Sequence, residues 1–228
     1  MISIIIPALN EARLIVQTLS TLQPLRAGGH EVIVVDGGSV DDSVILSQPF
    51  SELIISSHRG RSRQMNAGAN IASGDILLFL HADTCLPKGA THWIIEGLKQ
   101  QGKRWGRFDV RLSGKHYFLR IVEYLMNWRS RLTGIATGDQ AIFVQRELFE
   151  SVGGFPDIDL MEDIALSKIL KRYGRPLCLR QRVITSSRKW EKKGTLRTIL
   201  HMWHLRLAYA LGADQRRLAQ LYEPQEKS

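Results

Sequence analysis

His81 and Asp83 stand two residues apart, just past the apolar run Ile76-Leu77-Leu78-Phe79-Leu80. Such a run reads as a buried strand, and the carboxyl ends of strands in open α/β sheets are where ligands bind. Residues two apart in an extended segment share a face, so the spacing predicts an imidazole beside a carboxylate. That pair suits a divalent cation held against a diphosphate. Mg2+ or Mn2+ takes one or two carboxylates and fills its shell with water and substrate phosphates, and the imidazole favours Mn2+. The plainer alternative is a strand-end turn with a solvated aspartate.

Two further acidic sites strengthen the reading. Asp36 opens Asp36-Gly37-Gly38-Ser39 after a second strand, where an acidic residue can accept from a base N–H or a ribose hydroxyl and glycine lets backbone N–H groups approach a ligand. Taken alone, that segment reads as a strand-end turn. Glu162 and Asp163 open a helix. Asp163 suits a general base toward an alcohol, its neighbour Glu162 raising its proton affinity, or both simply complement the helix dipole. Arg59, Arg61 and Arg63 cluster at another helix start, where dipole and guanidinium groups attract phosphate or form a solvated basic face.

The elements that must position these residues alternate through the first half. Strands are expected at 2–6, 31–35, 53–56 and 76–80, with helices at about 11–23 and 60–72 and a short helix after Asp41-Asp42-Ser43. Alternation of this kind predicts a parallel sheet covered on both faces. The second half is less regular: a helix over about 86–101, a strand over 104–112, an aromatic-bearing helix over 117–132, a strand over 141–145 and a helix from Glu162 to Tyr173. A last helix is expected over 195–212, with Leu196, Ile199, Leu200, Trp203, Leu207 and Leu211 as its apolar stripe. Packing on the domain or on a second subunit is favoured for that stripe, with an interfacial membrane helix as the alternative. The expected division is a domain over 1–190 and a helical extension over 191–228.

Composition sets the bounds. The 228 residues are 44% hydrophobic and 23% charged, as in ordinary globular proteins. Cys85 and Cys178 lack metal-type spacing, so a reducing cytoplasm is the natural reading. No basic leader precedes the first apolar run, and no stretch is long enough to span a bilayer. The formal net charge of +9 implies anionic partners, yet no helix-turn-helix, zinc-finger or aromatic RNA-binding motif accompanies it, and nucleic acid is not expected.

The ordered motifs Ser3-Ile4-Ile5-Ile6-Pro7-Ala8-Leu9-Asn10-Glu11, Val34-Val35-Asp36-Gly37-Gly38-Ser39-Val40-Asp41-Asp42, Asn66-Ala67-Gly68, Gly74-Asp75-Ile76, His81-Ala82-Asp83 and Glu162-Asp163 resemble family 2 glycosyltransferases of the GT-A fold over about residues 2–190. Within that family the chain is most similar to a small bacterial subgroup associated with radical-SAM and selenium-related domains or with arsenosugar synthesis. The resemblance implies a Rossmann-like, mixed but mostly parallel sheet between helices, and an inverting transfer from a nucleotide-diphosphate sugar, a UDP-sugar favoured, to a hydroxyl acceptor. It implies a nucleotide pocket of Pro7, Ala8, Asn10 and Glu11, with Asp36 on the base; Gly38, Arg61, Asn66 and Ala82 join this candidate set. Asp83 would hold Mn2+ or Mg2+, with His81 where the family often has a second carboxylate. Asp163 would be the base, with Glu162 beside it. Gly138, Asp139 and Gln140 resemble a segment near donor sugar or acceptor, and Arg188 and Trp190 sit in a basic loop suited to the diphosphate. A sugar-phosphate nucleotidyltransferase and a non-catalytic basic module binding nucleic acid or membrane are the rival readings. A homodimer and a peripheral contact with the inner face of the membrane stay open.

Overall fold

A computed structural model describes residues 1–188 and, beyond them, residues 198, 201, 204, 205, 208, 209 and 221. Its spine grows from β-branched runs that pair in parallel: β1 (Ile2–Ala8), β2 (Glu31–Asp36), β3 (Leu53–Ser56) and β4 (Ile76–Phe79). Each is followed by a helix or turn: α1 (Ile15–Ala27), α2 (Ser43–Ser47) and α3 (Arg61–Ile71). β5 (Thr84–Cys85), α4 (Ala90–Gln101), β6 (Trp105–Leu112), α5 (Tyr117–Thr133), β7 (Phe143–Gln145), α6 (Arg146–Ser151), α7 (Glu162–Leu170) and β8 (Leu177–Thr185) follow within residues 1–188.

Eight strands form one sheet in the order β3-β2-β1-β4-β7-β6-β8-β5. The pairs β3/β2, β2/β1, β1/β4 and β6/β8 are parallel, whereas β7 runs antiparallel to both β4 and β6, and β5 to β8. Alternation along β1 sends Ile4 and Ile6 to one core, with Leu19 of α1 and Ile94 of α4. It sends Ile5 to the other, with Met65 of α3, Leu148 of α6 and Leu166 of α7. The expected mixed, mostly parallel sheet with helices on both faces is thus observed.

The differences from expectation have local causes. β8 was not anticipated because Arg180, Gln181 and Arg182 break its apolar run; the buried positions Leu177, Leu179 and Val183 suffice to seat it. α1 starts at Ile15 rather than 11, after a turn in which the Leu14 and Ile15 N–H groups both reach Glu11 O at 2.9 Å. Gly138 to Gln140 form a single 3-10 turn ahead of β7. The anticipated stripe of the last helix and Trp190 lie outside the described residues. Leu205, which is described, is fully buried against Leu160, Met161 and Ile164.

Candidate functional site

Side by side, β1 and β2 end with Ala8 paired to Asp36. The Asp36 carboxylate turns back on its own loop and accepts the N–H of Gly38 at 2.9 Å and of Ser39 at 3.1 Å. Gly38 has φ +93°, a conformation that glycine adopts without cost. Asn10, itself at φ +54°, donates its N–H to Ser39 Oγ at 2.9 Å and accepts the N–H of Val40 on Oδ1 at 2.9 Å. The Glu11 N–H reaches Ser43 Oγ at 2.7 Å. Gln64 of α3 donates through Nε2 to both Ala8 O, 2.9 Å, and Val35 O, 2.8 Å. Pro7, Ala8, Asn10, Glu11, Asp36 and Gly38 therefore form one bonded unit. Ser39, Ser43 and Gln64 complete it; no spacing argument singled them out, because serine and glutamine are common in any loop or helix.

Beyond β4 the backbone does not stay extended. The Thr84 N–H donates to His81 O at 3.0 Å and closes a turn, so the premise that His81 and Asp83 share a strand face does not hold, and the two side chains take different partners. Asp83 Oδ1 lies 3.3 Å from Thr84 Oγ1 and 3.4 Å from Thr185 Oγ1. Ala82 is buried and its carbonyl accepts from Thr18 Oγ1 at 2.7 Å. Glu11, in the turn after β1, faces Asp83. Partial burial and the Asp83 charge push the Glu11 carboxyl up, while Arg188 and Arg61 pull it down. Arg188 Nη2 touches Glu11 Oε2 at 3.3 Å.

His81 belongs to a second cluster. Its Nδ1 lies 3.5 Å from Asp139 Oδ1, and its buried Nε2 lacks a hydrogen-bond partner among the described residues. The ring packs on Gly138, where a Cβ would come within 2.4 Å of Nε2; glycine is needed to admit the imidazole. The Gly138 N–H in turn donates to Asp163 Oδ2 at 2.7 Å, and Asp163 Oδ1 accepts the Ile164 N–H at 2.6 Å. Asp163 is thereby fixed at the start of α7, whose helix dipole favours an anion. Glu162 beside it is buried, and desolvation followed by the Asp163 charge pushes its carboxyl up to about 7, with Arg61 and His81 opposing. His81, Gly138, Glu162 and Asp163 line a small cavity with Phe79 and Phe155. Arg61 acts electrostatically on both Glu11 and Glu162, which joins the two clusters.

Three anticipated residues are occupied elsewhere. Asn66 spends its whole amide on the Phe155 backbone, donating at 2.8 Å and accepting at 2.9 Å. Gln140 is buried and accepts from the Thr137 N–H at 3.2 Å while Nε2 reaches Asn127 Oδ1 at 3.4 Å. Arg63, from the basic cluster, pairs with Asp157 at 2.7 Å.

For a divalent cation, the donor set fits. Asp83 and Glu11 are neighbouring carboxylates whose mutual repulsion a cation would relieve. Among the described residues no cluster of three or more His, Cys, Asp or Glu side chains forms, so such an ion would complete its shell from phosphate and water.

A mixed, mostly parallel sheet between helices defines an α/β fold, and the solved structures it resembles are GT-A glycosyltransferases. Residues 3–152 match the family Glycosyl transferase family 2, and the chain belongs to that family. It is 29% identical over 190 residues to the probable glycosyltransferase YdaM of Bacillus subtilis, covering 73% of this chain and 45% of that one. The chain spans under half the length of the curated relatives it matches. Staphylococcus aureus TarS residues 1–349 in complex with UDP-GlcNAc superimposes with a TM-score of 0.66 at 17% identity, covering 82% of this chain and 58% of that one. Glucosyl-3-phosphoglycerate synthase of Mycobacterium tuberculosis, in complex with Mn2+, UDP and phosphoglyceric acid, gives 0.65 at 21%, covering 94% and 79%. Family membership over residues 3–152 favours glycosyl transfer over the nucleotidyltransferase and the non-catalytic basic module.

Proposed function

We propose that this protein is an inverting, metal-dependent glycosyltransferase that moves a sugar from a UDP-sugar to a hydroxyl acceptor. The observation that carries the reading is the way Arg61 acts on acidic residues of two elements, Glu11 after β1, with Asp83 of the turn after β4 beside it, and Glu162 at the start of α7. The UDP-GlcNAc of the TarS complex and the UDP and Mn2+ of the glucosyl-3-phosphoglycerate synthase complex support the choice of nucleotide and ion.

In this reading the unit of Pro7, Ala8, Asn10 and Glu11 lines the nucleotide pocket, and Asp36 addresses the uracil or its ribose. Asp83, with Glu11 beside it, would hold Mn2+ or Mg2+, which when bound supplies positive charge to the diphosphate. Asp163 takes the acceptor proton as that oxygen bonds to the anomeric carbon and the bond to the diphosphate breaks. One in-line displacement inverts the anomeric centre. Both Asp163 oxygens accept backbone N–H groups, which orients the carboxylate before the acceptor arrives. Gly138 and Asp139 stand next to it, where donor sugar or acceptor would lie, and Arg188 adds positive charge near the leaving group. The likeness to the radical-SAM-associated and arsenosugar subgroup stays part of this proposal and names no substrate. Free Cys85 and Cys178 support a reducing cytoplasm; among the described residues no helix is long and apolar enough to cross a membrane.

Calorimetric titration of UDP and GDP, each with Mn2+, Mg2+ or EDTA, tests the donor site. Metal-dependent UDP binding, lost in Asp83→Ala, is expected. Asp163→Asn is expected to keep UDP binding while transfer falls by at least ~100-fold. Binding of neither nucleotide, or an Asp163→Asn variant with near-wild-type transfer, would overturn the respective assignment.

A further inference from the structure

The helix α5 is partly turned inside out, with a broad apolar arc on its outward side. Its outward residues are Tyr117, Phe118, Ile121, Tyr124, Leu125, Trp128 and Leu132, all exposed, Tyr117 at 74% and Tyr124 at 67%. At 3.6 residues per turn these seven fall within an arc of roughly 120°. No charged residue interrupts the arc. The inward side buries Leu119 and Val122 against Leu112 and carries polar groups beside them. Glu123 accepts the Leu112 N–H at 2.6 Å, and Asn127 bonds both the N–H and the C=O of Val110 at 2.9 and 3.0 Å.

That inversion has a structural cause on one side only. β7 pairs with β6 at Trp105 and Gly106 alone, which leaves the rest of that β6 edge without a strand, and the polar face of α5 satisfies it. Nothing in the edge requires the opposite face to be apolar. A water-facing stripe of seven apolar and aromatic side chains costs solubility and marks a surface that is covered in use.

The charges around the stripe select its partner. Between residues 111 and 135 the cationic side chains are Arg111, Lys115, Arg120, Arg129 and Arg131. Arg120 pairs with the buried Glu123, the only acidic residue of the stretch, and Arg131 with the buried Asp109, while Arg111 and Lys115 are exposed. At the helix end, exposed Arg175 donates to the carbonyls of Arg131 and Leu132 at 3.1 and 2.9 Å. An apolar arc rich in Tyr and Trp, framed by cations without exposed acids, matches the headgroup region of an anionic bilayer. A second copy of this chain would bring the same cations against themselves. The described part of the last segment is engaged elsewhere, Leu205 packing on Leu160, Met161 and Ile164.

We propose that α5 is the membrane-docking element of this protein, lying in the interface of an anionic bilayer through Phe118, Ile121, Tyr124, Leu125 and Trp128. The contact is independent of the donor site.

Sedimentation of the full chain with vesicles of phosphatidylcholine alone, or with about a third phosphatidylglycerol, tests this. Wild type is expected to partition onto the anionic vesicles at least tenfold better than onto neutral ones. Tyr124→Glu/Trp128→Glu is expected to lose that binding at least tenfold while keeping its melting temperature and UDP titration. Ile121→Glu, a single change on the same arc, serves as a second variant and is expected to weaken binding in the same direction. Absence of vesicle binding by wild type would overturn the proposal, as would binding unchanged in the variants. So would a wild-type dimer in light scattering that the double variant dissolves, since the arc would then be a subunit interface.

Discussion

Glu162 is the residue whose charge the fold resists most clearly. Burial and the adjacent Asp163 raise its carboxyl from 4.5 to about 7, so the folded chain holds a proton that the unfolded chain releases. The stabilisation is fully present below pH 4.5 and is lost as pH rises through about 7. A rise of that size corresponds to at most ~3 kcal/mol, or a melting temperature lower by several degrees at pH 8 than at pH 5. Glu162→Gln is expected to flatten the melting temperature across this window, and an unchanged slope in the variant would assign the effect to another group. The Glu162-Asp163 pair was legible in the sequence as adjacent acids opening a helix. The place of His81 was not. Spacing arguments assume an extended backbone, and the turn closed by the Thr84 N–H on His81 O sends the imidazole toward Gly138 and Asp139. Gly138 itself was visible only as part of a motif, although the imagined Cβ contact of 2.4 Å with His81 is what makes it indispensable.

At the scale of elements, α5 shows how far periodicity can lead. Its pattern predicted the helix correctly, from 117 to 132 against the observed Tyr117–Thr133. Which face points inward depends on the unpaired edge of β6, and pairing across a sheet is not written in the local pattern of either segment. Asn127 joins the two elements by replacing the missing strand at Val110. Asn127→Leu keeps the branched heavy-atom outline of the side chain but strands both backbone groups of Val110, at a cost of about 2–4 kcal/mol. The variant is expected to melt several degrees lower, with UDP affinity unchanged because the nucleotide unit of β1 and β2 lies elsewhere in the sheet. A variant as stable as wild type would mean that water satisfies that edge. The parallel strands β1 to β4 were legible for the opposite reason: each is a short apolar run with its own turn signal. β8 was hidden because Arg180, Gln181 and Arg182 interrupt its apolar run, although it lies inside the sheet between β6 and β5.

Across the whole molecule, segments far apart in the described chain meet at the proposed donor site. Arg188 follows β8, the last strand, yet its guanidinium reaches Glu11 after β1, the first. Parallel pairing of β8 with β6 and antiparallel pairing of β5 with β8 through Thr84 and Thr185 carry the end of β8 to the turn that holds Asp83. The pair is half exposed, the Arg188 side chain at 52% and that of Glu11 at 29%, and an ion pair so placed contributes only about 0–1 kcal/mol to stability. A structural tie is therefore a poor reason for the contact, whereas a cation poised beside Asp83 and Glu11 suits a diphosphate that must be neutralised as it departs. Arg188→Ala is expected to leave the melting temperature within about 2 °C of wild type and to weaken UDP binding by roughly 5- to 10-fold, on the order of 1 kcal/mol, with uridine affected far less. A variant that melts much lower but binds UDP as wild type does would reverse the assignment, making the contact a clasp between chain ends and leaving Arg61 as the cation that faces the diphosphate.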